Sequence, residues 1–329
     1  MLRRAISDYP SKISSLVCSF ITKNPLYQNQ NAKVALCAIG AGLVLSKVFS
    51  VFKELFSILR PSFNLSQRYG QKSWAVITGA SDGIGKAFAF NLAEKGFNIV
   101  LVSRNKEKLE IVAKALKYKC PSIETRTVEA DFTEAYKEGF AERIYEEVKD
   151  LDISILVNNA GGFIKKTYVD ITIKELQDII NLNCLSHALI TRVFIPGLAK
   201  REKKSAIINV SSIAGGFPQP HRQTYSASKA FLDYLSRGLA YEYPNIDTLS
   251  VKPAYVITKM TSYREPDTGA VTPEQLVESS LGLLGKKTHS HGHWKQRIRG
   301  WFILGMPDWL RNVYIRNILM TQKVSQKTS

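Results

Sequence analysis

A parallel α/β fold, doubly wound with helices on both faces of one sheet, is what three features of this 329-residue chain predict. Between Lys72 and Gly285, short apolar runs alternate with stretches of helical periodicity, the pattern of consecutive βαβ units. The runs are apolar almost throughout, as strands buried on both faces are. The first run ends in a glycine-rich turn that opens directly into a helix, a geometry in which backbone N–H groups and the helix dipole meet a phosphate.

Strands are expected at Trp74–Thr78, Asn98–Ser103, Glu124–Ala130, Ile153–Asn158, Ala206–Ser211 and Thr248–Lys252, with helices between them. The first ends in Thr78-Gly79-Ala80-Ser81-Asp82-Gly83-Ile84-Gly85. Gly79, Gly83 and Gly85 allow a pyrophosphate close to the backbone, although the spacing is TGxxxGxG rather than GxGxxG and a purely structural turn would read the same. The sheet is therefore expected to be Rossmann-like.

The second strand ends in Ser103-Arg104. NAD binders usually carry an acid there for the ribose hydroxyls; a serine followed by a guanidinium favours the 2′-phosphate of NADPH. The alternative is a solvated arginine opening a basic helix. Asp131, after the third strand, is a candidate for the adenine amine or for an N-cap before Thr133.

Past the fifth strand, Ser212, Tyr225 and Lys229 form the informative group. Tyr225 and Lys229 are four apart, on one face of a helix. An ammonium beside a phenol lowers its pKa and makes Tyr225 a usable proton donor. Ser212 is placed to polarise a carbonyl oxygen.

Composition narrows the class. Apolar residues make up 45% and charged residues 22%, which excludes a disordered chain. Four cysteines without CxxC spacing suit a reducing compartment. The net charge of +17 resides on two flanks: residues 1–72 and 286–329 carry +8 each, the middle only +1. Basic flanks around apolar segments suit an anionic membrane surface rather than nucleic acid. Val34–Phe52 has one charge, Lys47, and a membrane-anchor helix is expected over 34–59, with a buried or interfacial helix as the alternative. Residues 1–33 form a basic segment before it and 60–72 a linker after it. Asn64-Leu65-Ser66 fits a glycosylation sequon on a lumenal side only. The C-terminal extension 286–329 is amphipathic, apolar and aromatic around Pro307, and suits a membrane interface, a hydrophobic lid, or packing on the core. His289, His291 and His293 alternate; they read as a polar loop, with no metal site expected.

TGASDGIG (78–85), Asp131, NNAG (158–161), Asn183, Ser212, Tyr225-x-x-x-Lys229 and Pro253…Thr258 together resemble the short-chain dehydrogenase/reductase family over 73–285. TGASDGIGK, LVSRNKEKL (101–109), NLNCLS (181–186), YSASKAFLDYLS (225–236), PAYVITKM (253–260) and TPEQLVESSLGLLG (272–285) are similar to a narrower group, the membrane-bound very-long-chain 3-oxoacyl-CoA reductases and the type 3 and type 12 17β-hydroxysteroid dehydrogenases. Many relatives have glycine where Ser186 and Ala254 stand.

The resemblance implies hydride transfer from NADPH to a carbonyl. Asn183 would hold a relay water, Ser212 would orient the carbonyl and Tyr225 would protonate it. Lys229 would lower the Tyr225 pKa and bind the nicotinamide ribose. The cofactor would further meet Gly79, Ser81, Asp82, Gly83, Ile84, Gly85, Arg104, Asp131, Asn158, Ala160, Gly161, Pro253, Val256 and Thr258, with Asn158 also stabilising the central strand. The implied substrate is a long-chain 3-oxoacyl-CoA in fatty-acid elongation, the rival a 17-ketosteroid or other lipid ketone, and a non-catalytic nucleotide-binding scaffold the remaining reading. Implied partners are a lipid membrane, other elongation enzymes and a second copy of the chain. The implied location is the endoplasmic reticulum membrane, with the catalytic domain facing the cytosol.

Overall fold

The computed structural model describes residues 29–59, 61–261 and 269–321, in two units divided after Pro61. The first holds helix α1, Gln30–Leu59, which begins four residues before the expected anchor; its Val34, Leu36, Ile39, Leu43, Val44 and Leu45 are all exposed. Residues 1–28 of the expected basic segment lie outside the described residues. Among the described residues, the apolar part of α1, Gln30–Ser46, is shorter than a bilayer span. A 28-residue run that is long and apolar enough, Ile173–Lys200, lies within the second unit and is half buried.

The second unit is a seven-stranded sheet in the order β3-β2-β1-β4-β5-β6-β7, parallel throughout. Its strands are β1 (Trp74–Thr78), β2 (Asn98–Ser103), β3 (Thr125–Glu129), β4 (Ile153–Asn158), β5 (Ser205–Val210), β6 (Ile246–Val251) and β7 (His289–Ser290). Its helices are α2 (Leu65–Tyr69), α3 (Gly83–Glu94), α4 (Lys106–Lys119), α5 (Phe140–Glu146), α6 (Ile173–Ile180), α7 (Ser186–Lys200), α8 (Gln223–Glu242), α9 (Pro273–Leu281), α10 (Trp294–Gly305) and α11 (Asp308–Thr321).

The apolar strands bury two cores. Ala75, Ile77, Ile99, Leu101, Ile155 and Val157 face one that contains Phe88, Leu92, Leu109 and Leu276. Val76, Val100, Val102, Leu156 and Ile207 face the other, with Phe140, Ile190 and Phe194. Alternate residues of one strand thus enter opposite cores.

Three expectations are corrected. The segment read as a linker is folded: Leu65 and Tyr69 are buried, and Arg68 makes a two-point ion pair with Asp247 at 2.6 and 3.1 Å. Asn64 of the sequon caps α2, accepting the Gln67 N–H at 3.2 Å. The sheet does not end at residue 285, because β7 comes from the histidine-rich stretch and pairs with β6 at Ser250–Val251. Nor is that stretch a simple polar loop. His291 Nδ1 lies 2.8 Å from the Lys252 carbonyl oxygen, and His293 caps α10.

The C-terminal extension breaks at Pro307, as expected, into α10 and α11. α10 turns Gln296, Arg297, Gly300 and Ile303 inward, while Trp294, Ile298, Trp301 and Phe302 are exposed.

Candidate active site

The β1–α3 turn holds Gly79 and Gly83 at positive φ, 64° and 55°. A Cβ on Gly79 would stand 2.9 Å from the Ala160 Cα, and one on Gly85 2.2 Å from the Gly79 carbonyl oxygen, so glycine is required at both. The turn is pinned from the end of β4. Asn159 Nδ2 donates to the carbonyl oxygens of Thr78 and Gly79 at 3.0 and 3.2 Å. The Thr78 hydroxyl accepts the N–H groups of Asn159 and Ala160 at 2.9 and 3.0 Å.

Asp82 caps α3 through the Gly83 N–H at 2.8 Å and pairs with Lys259 at 2.8 Å. That lysine holds the carboxyl below its ordinary value. Glycine turn and loop after β6 thereby meet across a cavity of about 330 Å³. Ser81, Ile84, Gly161, Pro253, Val256 and Thr258 line it, together with Tyr225 and Lys229. A backbone cradle at a helix N-terminus fits the phosphates of a dinucleotide.

Other expected cofactor residues stand elsewhere. Asn158 is fully buried in the sheet, where its Nδ2 donates to Thr191 Oγ1 at 2.9 Å and Asn209 Oδ1 at 2.8 Å. It ties β4 to β5 there, the strand-stabilising role the resemblance implies, and does not line the cofactor cavity: a side chain alternates faces along a strand, and at the strand end it is Asn159 that reaches the turn. Asp131 caps the short turn Phe132–Glu134, accepting the Thr133 N–H at 3.0 Å and hydroxyl at 2.8 Å. It borders a separate cavity of about 490 Å³ at the β3 edge. Ser103 lies 3.1 Å from Ser81, hydroxyl to hydroxyl, which sets the exposed Arg104 beside the cradle.

Tyr225 and Lys229 share one face of α8, below Ser212 at the end of β5. Lys229 is buried; its Nζ donates to the Val210 carbonyl oxygen at 2.9 Å and stands 5.9 Å from the Tyr225 ring centroid. Burial brings its pKa down to about 8. The Tyr225 phenol is raised, not lowered. Burial is the larger influence, opposed by a hydrogen bond from Ser212 and by the charge of Arg222. The expected acidification by Lys229 is therefore corrected, since that ammonium is turned to the Val210 carbonyl. Phe163 meets the Tyr225 ring edge-on at 5.0 Å.

Asn183 lies in a single π-helical turn, Asn181–Leu185, between α6 and α7. Its side chain brackets Gly162, accepting the N–H at 2.8 Å and donating to the carbonyl oxygen at 3.1 Å, and also donates to Ser228 at 2.9 Å. A Cβ on Gly161 would fall 3.3 Å from Lys229 Nζ and 3.4 Å from Asn183 Oδ1.

Three residues here escaped the sequence reading. Asn159 is the second residue of the NNAG motif, yet no role was assigned to it. His187, fully buried with its pKa pushed down to about 3 by desolvation, is neutral and meets the Ala160 carbonyl oxygen at 2.6 Å. Gln296 of α10 holds the backbone of Ala254 and Tyr255. No local signal marks the last two.

A third cavity, about 400 Å³, opens beside Ser212 and Tyr225. Its walls include Phe217, Ile303, Tyr314 and Ile315, and also Lys165, Arg222 and Arg299.

A doubly wound sheet with a dinucleotide cradle and a serine–tyrosine–lysine group defines a nicotinamide-dependent oxidoreductase acting on a C=O/CH–OH pair. The chain belongs to the short-chain dehydrogenase family, which matches residues 73–269. It is 37% identical over 302 residues to the very-long-chain 3-oxoacyl-CoA reductase-B of Danio rerio, covering 88% of this chain and 95% of that one. It is 38% identical to the inactive hydroxysteroid dehydrogenase-like protein 1 of Homo sapiens, covering 84% and 87%. Among solved structures, a 7β-hydroxysteroid dehydrogenase superposes with a TM-score of 0.68 at 26% identity, covering 78% of this chain and 99% of that one.

Proposed function

We propose that the protein reduces long-chain 3-oxoacyl-CoA to 3-hydroxyacyl-CoA with NADPH, as a step of fatty-acid elongation. The observation that carries this reading is the cavity beside Ser212 and Tyr225, whose walls combine apolar side chains with Lys165, Arg222 and Arg299. Such a lining suits an amphiphile with a long apolar chain and a polyanionic head. The likeness to relatives named very-long-chain 3-oxoacyl-CoA reductase, 37% identical in two cases, supports it.

Bound NADPH supplies the hydride. Ser212 Oγ holds the ketone oxygen against Tyr225, whose phenol gives it a proton as negative charge develops there. Burial keeps that phenol protonated at neutral pH, and the Ser212 hydrogen bond and Arg222 charge stabilise the phenolate left behind. Lys229, held on the Val210 carbonyl oxygen, lines the cofactor cavity, where its Nζ is available to the nicotinamide ribose. Asn183 fixes Gly162 and so the loop that borders Lys229. Arg104, beside the cradle with Ser103 in place of an acid, favours NADPH over NADH.

A second reading, reduction of a steroid or other lipid ketone, draws on the likeness to the 7β-hydroxysteroid dehydrogenase. The relatives named inactive raise a third, a scaffold without turnover; Asn183, Ser212, Tyr225 and Lys229 are all present in this chain. NADPH oxidation by membranes supplied with 3-oxoacyl-CoAs or with estrone separates the three. Thioester-dependent oxidation supports the first, steroid-only oxidation the second, and cofactor binding without either the scaffold.

In the same reading α1 anchors the protein in the endoplasmic reticulum membrane, with the catalytic unit facing the cytosol. Its exposed apolar residues support that assignment. Other elongation enzymes and a second copy of the chain are the proposed protein partners.

A further inference from the structure

The cavity beside Tyr225 shares a wall with another hollow. Phe217, Gln219 and Ile315 line both. The outer hollow, about 680 Å³, runs between the 217–220 loop, the first turns of α8, and α11, and its lining includes Pro220, Ala227 and Ala230. Phe217, Ile303 and Ile315 form a small cluster of their own, apart from both main cores. Gln219 contributes a buried Oε1 with no hydrogen-bond donor among the described residues. A buried acceptor without a donor is costly, and the cost is relieved where this wall opens and the oxygen meets water.

We propose that this outer groove takes the distal methylenes of the substrate's acyl chain, which passes between Phe217 and Ile315. The assignment rests on the acyl-CoA reading above and deepens it. Three observations favour an acyl chain as occupant. The groove adjoins the reaction cavity across a shared wall, its lining is largely apolar, and the inner cavity already holds the cations suited to a polyanionic head. A rigid ring system cannot bend from one hollow into the next, whereas a flexible chain can fill both. The groove then sets chain-length preference, because each methylene moved from water into it tightens binding about fourfold.

The test is calorimetric binding of saturated acyl-CoAs, from butyryl to stearoyl, to the full chain in detergent. These ligands lack the 3-ketone, so the readout is independent of turnover. Wild-type protein is compared with Ala227→Trp and Gln223→Trp, two plugs introduced from exposed positions on the groove's α8 side. The proposal expects affinity to climb with chain length in wild type, and the stearoyl-over-butyryl advantage to fall at least about tenfold in both plugged variants. An unchanged advantage in both overturns it. So does a change of oligomeric state with the chain-length response intact, which would give the groove to a second copy. Failure to bind any acyl-CoA overturns the underlying substrate reading as well; tightening with chain length that the plugs leave untouched overturns the groove assignment alone.

Discussion

Gln296 donates through Nε2 to the Tyr255 carbonyl oxygen at 2.7 Å, and its Oε1 accepts the neighbouring Ala254 N–H at 3.1 Å. A fully buried amide of the C-terminal extension thus braces the loop that follows β6, which lines both the cradle and the cavity beside Ser212. Replacing it with leucine leaves two backbone groups without partners, at about 1–3 kcal/mol each. Gln296→Leu should lower the melting temperature and weaken dinucleotide binding about tenfold. Wild-type affinity in a destabilised variant would remove the bracing role.

Arg104 should discriminate between the two nicotinamide dinucleotides. A charge-assisted contact to a 2′-phosphate contributes about 1.5–3 kcal/mol. Arg104→Ala should therefore weaken NADPH binding roughly 10- to 100-fold and leave NADH nearly unchanged, as read by fluorescence titration of each. Equal loss for both would make Arg104 an ordinary surface arginine.

Lys229 is expected to cost stability for the sake of the site. Its folded value of about 8 lies below the ordinary 10.5. Below pH 8 the folded and unfolded lysines are both charged, and the folded state carries the full cost of burying that charge. Between pH 8 and 10.5 the folded lysine loses its proton first, so its contribution to stability rises with pH. Lys229→Met should melt higher than wild type at pH 7, with the difference shrinking toward pH 10, while turnover is lost. A lower melting temperature at pH 7 would mean that the Val210 contact outweighs desolvation.

Truncation tests where the catalytic unit begins. A chain starting at residue 62 keeps α2 and the Arg68–Asp247 pair. One starting at residue 73 loses the buried Leu65 and Tyr69 and leaves Asp247, largely buried, without its cation. The second should be less stable by about 3–5 kcal/mol, measured by urea unfolding. Equal stability would return residues 62–72 to the status of a linker.

The fold was legible because parallel strands buried on both faces are continuous apolar runs, and Ile153–Asn158 could be placed to the residue. β7 was not. Two residues, His289 and Ser290, carry no strand pattern, and only pairing with Ser250 and Val251 makes them one. Tyr225 and Lys229 were legible because helical spacing alone brings them together. The acidity of Tyr225 was not, because burial and the direction of Lys229 Nζ are tertiary facts. Gln296 and His187 act on the backbone of segments distant in the chain, at Tyr255 and Ala160, and no local pattern encodes such contacts.

The most direct test of the account is the Tyr225→Phe variant in NADPH oxidation driven by a long-chain 3-oxoacyl-CoA, with NADPH affinity measured on the same preparation. The account predicts a fall in kcat of about 10²–10⁴-fold with affinity essentially retained, as expected when one proton donor is removed. Turnover near the wild-type rate would contradict it.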